Sequence, residues 1–158
     1  VNGDKADHNF VDGTCTACGQ SAAINETTTV TLSMKDYAAA NGWKDATKYT
    51  TVNVDGNITA TITNSSSNSG KYYNNGSNWR IYQSESSTLT IAATGKTIVS
   101  VKVTYESNKT GCLTYNSANV ASDEVVTVNA ESITFGLGNT GSATNGQVRV
   151  TAIEVIYQ

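Results

Sequence analysis

Several things are scarce in this chain of 158 residues. Charged side chains make up 15% of it, against about a quarter in an ordinary soluble domain. Its formal net charge is −3, and no stretch of the sequence gathers Lys and Arg. Nucleic acid is therefore not expected as the partner, because binding a phosphate backbone needs clustered cations. No apolar run approaches the roughly 20 residues that cross a bilayer as a helix. No signal peptide is recognisable, so a secreted chain would carry its signal upstream or have lost it. Proline is absent, and histidine occurs once, as His8. A Ser-His-Asp triad within the body of the chain is excluded by that count. The acidic residues sit mostly in turns or alone, so no carboxylate pair for glycoside hydrolysis stands out. Catalysis is not expected.

Ser, Thr and Asn are plentiful and together exceed a third of the residues. Thr favours strands, while Asn and Gly supply turns. From "TTTVTLSM" onward apolar residues recur with period two: Val30, Leu32 and Met34; Ile58, Ala60 and Ile62; Leu89 and Ile91; Val99, Val101 and Val103. This is the pattern of half-buried strands. Turn dipeptides divide the runs, with Asn-Gly at 41–42, 75–76 and 145–146 and Asp-Gly at 55–56. The expected fold is all-β: an antiparallel, jelly-roll-like sandwich of about eight to ten strands over residues 22–158. Residues 1–21 show no period and are expected to be an irregular, linker-like segment. "KDYAAANGWKDA" is expected to be a loop with at most one helical turn, interrupted by Gly42. "NSSSNSG" at 64–70 is expected to be a flexible surface loop. In "QVRVTAIEVIY" Val148 and Val150 share one parity and Ile153, Val155 and Tyr157 the other, so a β-bulge near Thr151 or Ala152 is expected.

Residues 8–19, "HNFVDGTCTACG", hold His8 and a C-x-x-C pair, Cys15 and Cys18. Three readings stand open. A structural zinc ion could take His8, Cys15, Cys18 and a fourth group. The cysteines could form a disulfide with each other or with Cys112 in an oxidising compartment. They could also be free thiols. A structural calcium ion is a further option, with Asp36, Asp45 and Asp55 as candidate ligands and no spacing pattern to place it.

The pattern H-x-F-x-D-G-x-C-x-x-C-G resembles a short element found between domains of extracellular proteins of anaerobic Firmicutes. A second resemblance covers most of residues 27–158. Lys71-Tyr72, Arg80-x-Tyr82 and the closing run Arg149 to Tyr157 are similar to a β-sandwich accessory module of secreted enzymes from gut Bacteroidetes and Firmicutes. These resemblances imply a secreted or cell-surface, multi-domain parent protein and a non-catalytic, carbohydrate-binding-like role. The partners implied are a polysaccharide and the parent's other domains.

The residues themselves suggest where a sugar would sit. "KYYNNGSNWRIY" gathers Tyr72, Tyr73, Trp79 and Arg80 around an Asn-Gly turn, and "DYAAANGWKDATKY" gathers Tyr37 and Trp43 around another. Aromatic rings stack on the C–H faces of pyranoses, while polar neighbours bond the hydroxyls. Tyr72 and Tyr73 must point to opposite faces of a strand, so one is expected to be exposed. The alternative reading packs these rings as core and makes the chain a structural or adhesive surface domain.

Overall fold

The computed structural model describes residues 26–63 and 66–158 in full, and before them the backbone of two short strands. These are β1 (Phe10–Val11) and β2 (Thr14–Cys15), paired antiparallel with Phe10 opposite Cys15 and Val11 opposite Thr14. The rest of residues 1–21, with His8 and Cys18, lies outside the described residues, as does the side chain of Cys15. The zinc and C-x-x-C readings fall there.

The described body is an antiparallel β-sandwich, as the alternation predicts. One sheet contains β4 (Thr51–Asn53), β5 (Ile58–Thr63), β8 (Thr88–Ala93), β10 (Gly111–Tyr115), β11 (Ala118–Val120) and β13 (Ser132–Asn139), in the order β11-β10-β13-β8-β5-β4. The other runs β12-β9-β14-β7-β6. It is made of β6 (Lys71–Tyr73), β7 (Asn78–Tyr82), β9 (Ile98–Asn108), β12 (Val125–Ala130) and β14 (Gln147–Tyr157), with β3 (Thr28–Ser33) also pairing β14. The chain crosses between the sheets repeatedly, as in a jelly roll.

Inward residues of the two sheets form one core. Ile58, Leu89, Ile91 and Phe135 meet Trp79, Ile81, Val101, Val150, Ile153 and Val155 across the interface, and all are buried. Twelve strands rather than eight to ten form the two sheets. The hairpin β10–β11 was not legible as strands, because Cys112 and Leu113 are consecutive buried residues and show no alternation. Its two-residue turn, Asn116-Ser117, has positive φ at both positions (49° and 64°), the geometry that twists correctly between antiparallel strands.

The expected bulge is present. Strand β14 shifts register against β9 between Val150 and Ala152. On its other edge β14 pairs β7 up to Val150 and β3 from Ala152 onward. One strand thus serves two neighbours on the same side, and the bulge keeps its apolar residues facing inward on both halves.

Two readings are corrected. Residues Met34–Ala40 form a helix, α1, of seven residues. Ser33 caps its start, its hydroxyl accepting the Asp36 N–H at 3.3 Å. Gly42 does not interrupt this helix; it ends it. Its φ is +65°, Trp43 N–H donates to Ala38 O at 2.9 Å and Gly42 N–H to Ala39 O at 3.4 Å. That pair of bonds is a Schellman closure, in which glycine supplies the left-handed residue. The end of the 64–70 loop is also not loose. Asn68 and Ser69 N–H groups both donate to the Glu85 carboxylate, at 2.7 and 2.9 Å. Ser69 is fully buried, and its hydroxyl accepts from Tyr82 N–H and Ser87 Oγ. Burial pushes the Glu85 carboxyl up, but these N–H donors outweigh it and hold its pKa below the ordinary value.

The outward face of the first sheet carries a row of threonines. Thr51, Thr61, Thr90 and Thr134 lie opposite one another across β4, β5, β8 and β13. Hydroxyls meet between Thr51 and Thr61 at 3.4 Å and between Thr90 and Thr134 at 2.9 Å. Cross-strand Thr pairs of this kind stabilise a sheet face without charge.

Candidate functional site

The Schellman closure of α1 throws Trp43 back over the helix toward β6, which sets the geometry of an aromatic cluster. Its indole stacks on the Tyr49 ring, with centroids 4.0 Å apart and planes 3° from parallel. Tyr37 meets it edge-on at 5.4 Å and Tyr72 at 5.7 Å, and Trp79 lies tilted at 6.3 Å. The three edge-on and tilted contacts lie within the range in which ring pairs attract beyond their buried area, and the Trp43–Tyr49 stack is closer still.

Backbone bonds hold the rings in place. Tyr37 OH accepts from Asn53 N–H at 3.2 Å, and Tyr49 OH accepts from Lys44 N–H at 2.8 Å. Residues 45–49 run beside β6: Ala46 N–H donates to Tyr72 O and Tyr72 N–H to Thr47 O. Lys48 forms a bridge opposite Lys71. The Trp79 indole N–H is shared between Tyr49 O at 2.7 Å and Gly70 O at 3.0 Å. Gly70 has φ +88°, and a Cβ there would meet Tyr49 O at 3.0 Å. A side chain at 70 would push away the carbonyl that holds the indole.

The six residues expected to touch sugar fall into two groups on opposite faces of one sheet. Tyr37, Trp43, Tyr72 and Trp79 join in the cluster; Tyr73 and Arg80 point outward. Two of the six are corrected. Trp79 is 0% exposed and Tyr72 4%, so neither offers a ring face to a ligand. Their inward parity on β7 and β6 buries them, and the turn between those strands does not alter it. Tyr73 is half-buried, with the Arg80 guanidinium 3.7 Å above its ring. Trp43 and Tyr37 are half-buried.

Trp43 opens on a depression of about 220 Å³, shared with Lys35, Ala38, Ala39, Tyr72, Asn74 and Ser77. The two aromatic segments therefore meet in one concavity, with α1 on one side and the β6–β7 turn on the other. Asp45 fixes that turn by accepting the Asn74 N–H at 2.8 Å.

Among the described residues, no three His, Cys, Asp or Glu side chains converge as a metal-holding group. Asp45 and Asp55, two of the candidate calcium ligands, brace turns. Asp55 accepts Asn57 and Ile58 N–H at 2.8 and 2.7 Å and the Tyr157 hydroxyl at 2.7 Å. Burial raises the Asp55 carboxyl, but these bonds, Tyr157 first, bring its pKa below the ordinary value. Asp36 is exposed in the first turn of α1. Cys112 is a free, buried thiol on β10, so the disulfide expected as one option for it is not formed. Burial pushes its pKa up, against one N–H from Gly138. A buried thiol held protonated is a small apolar side chain, not a nucleophile.

Compared with known proteins, the chain matches no family model, no curated protein and no solved structure.

Proposed function

We propose that this chain is a non-catalytic carbohydrate-binding domain of a larger secreted or cell-surface bacterial protein. One observation carries the reading: Trp43 is half-exposed, is locked in orientation by four other rings, and opens on a concavity rimmed by Asn74, Ser77 and Lys35. A ring held rigid before a ligand arrives loses little entropy on binding. An apolar wall with polar groups at its edge fits a sugar ring, which has C–H faces and a hydroxyl rim. The concavity is smaller than the roughly 300–1,000 Å³ of drug-sized sites, which suits a single sugar ring or a chain end. Tethered to a catalytic neighbour, such a domain raises the local concentration of enzyme on its polymer.

Affinity electrophoresis against a panel of neutral plant and host polysaccharides tests this. Retardation by one of them, abolished in Trp43→Ala, is the expected result. Retardation by none, or retardation that Trp43→Ala leaves unchanged, overturns it.

A second reading, a structural or adhesive domain, has its own support. Val125, 60% exposed, is the one exposed large apolar side chain among the described residues. It lies on β12, which among the described residues is an edge strand of its sheet, the kind of position at which another chain can add a strand. Concentration-dependent self-association in sedimentation, lost in Val125→Lys, favours that reading; a monomer at all concentrations removes it.

A further inference from the structure

The outward face of the second sheet carries a row of charge that no stretch of sequence displays. Lys48 lies opposite Lys71, Lys71 opposite Arg80, Arg80 opposite Arg149, and Arg149 opposite Glu106. Residues separated by up to 101 positions thus line up across the sheet, four cations ending in one carboxylate. They are four of the ten Lys and Arg in a chain of net charge −3, and they include both of its arginines. Like charges directly opposite on a sheet repel and destabilise it. Neither arginine has a carboxylate within ion-pair distance among the described residues.

The two guanidinium groups are also aimed. Arg80 Nε donates to Asn78 Oδ1 at 2.9 Å, and Arg149 Nε to Gln147 Oε1 at 2.6 Å. Each arginine is gripped by an amide two residues before it on its own strand, and both amides are buried, at 1% and 6% exposure. Each grip uses Nε and leaves the terminal Nη donors, the tips of the fork, for something outside. Arg80 is further fixed by lying over Tyr73. Beyond Gln147 the face runs into a depression of about 180 Å³ lined by Tyr82, Asn108 and Lys109 among others.

We infer that this face binds a linear, carboxylate-bearing polysaccharide, laid across strands β6, β7 and β14 and held by Lys71, Arg80 and Arg149. Strands lie about 4.8 Å apart, a spacing comparable to one sugar ring along an extended chain. One cation per strand therefore matches one carboxylate per ring, and guanidinium forks match carboxylates in shape. Nucleic acid fits less well. Binding a single strand needs open rings for base stacking, and Tyr73 is covered by Arg80. The inference rests on the reading of the domain as glycan-binding, but it uses a face other than the Trp43 concavity.

The probes are polygalacturonate, the same polymer fully methyl-esterified, and a single-stranded oligonucleotide, each measured by calorimetry on the whole chain. Binding to polygalacturonate, weakened by salt and lost on esterification, is expected. Removing one guanidinium in Arg149→Gln is expected to weaken it about tenfold, the worth of one charge-assisted contact. Glu106→Gln is expected to tighten it, and a gain of affinity cannot arise from misfolding. Equal binding of the esterified polymer, unchanged affinity in both variants, or tighter binding of the oligonucleotide overturns the inference. Trp43→Ala separates the two sites. It should spare polygalacturonate while abolishing retention on neutral glycan. Loss of both polymers in a folded Trp43→Ala protein would show one shared site and overturn the assignment to this face.

Discussion

The two outward faces of the sandwich obey the same alternation and carry opposite chemistry. On one, Thr51, Thr61, Thr90 and Thr134 meet in register and satisfy each other with hydroxyl contacts. On the other, Lys48, Lys71, Arg80 and Arg149 meet in register and repel. The threonine face explains itself as structure: every residue is a good strand former with a partner beside it. The charged face does not, because buried amides hold its guanidinium groups in place against repulsion. Where a fold keeps an unfavourable arrangement in a fixed geometry, stability alone is a poor account of it.

The comparison can be broken from beneath. Trp79 supports the charged sheet from inside, and Trp79→Ala is expected to cost about 3–5 kcal/mol in denaturant unfolding, the range for emptying a large aromatic site. A smaller loss would mean the charged sheet is held mainly by its ladders. Next in size is Arg80→Ala. It strips Asn78 Oδ1 of its Arg80 donor, at about 1–3 kcal/mol for an acceptor left buried and unpaired. Thr90→Ala on the other face loses one neutral contact, worth about 0.5–1.5 kcal/mol.

Acid titration gives an effect shared by both sheets. Asp55 and Glu85 have folded-state pKa values below their ordinary ones. Their contribution is therefore full above the ordinary carboxylate pKa and is lost as pH falls through the depressed folded values. The denaturation midpoint should fall along that acid limb, and Glu85→Gln should flatten it; an unchanged limb in the variant would assign the loss to other groups.

The smallest effect is the most telling. Arg149→Thr should leave stability within about 0.5 kcal/mol of the parent or raise it, since it relieves the repulsion from Arg80 and inserts a strand former. Asn108 still donates to Gln147 Oε1, at 3.4 Å. A clear loss of stability would mean that the row is structural after all.

Much of the sandwich was legible because half-buried strands must alternate, and even the bulge at Thr151 could be read as a parity switch. The helix was missed although its marks are local: Ser33 before it, three alanines within it and Gly42 after it. Gly42 reads in the sequence as a break, and in the fold it is a stop. For the site, position along the chain was a poor guide. Two Asn-Gly turns precede two tryptophans, yet Trp79 is buried and Trp43 half-exposed. Strand parity buries the first, while the second follows a helix end. The cation row was invisible for a plainer reason. Residues 48, 71, 80 and 149 are neighbours only through strand register, which a single sequence does not display.

The bulged strand β14 has a consequence for how the molecule is made. Strands β3, β7 and β9 emerge from the ribosome earlier than β14, and each finds its main partner in β14. Until residues 147–157 are synthesised, three strands of that sheet stand with open edges, exposed to mispairing with other chains. The joining of Leu32 to Ile153 closes a loop of more than a hundred residues, which slows folding.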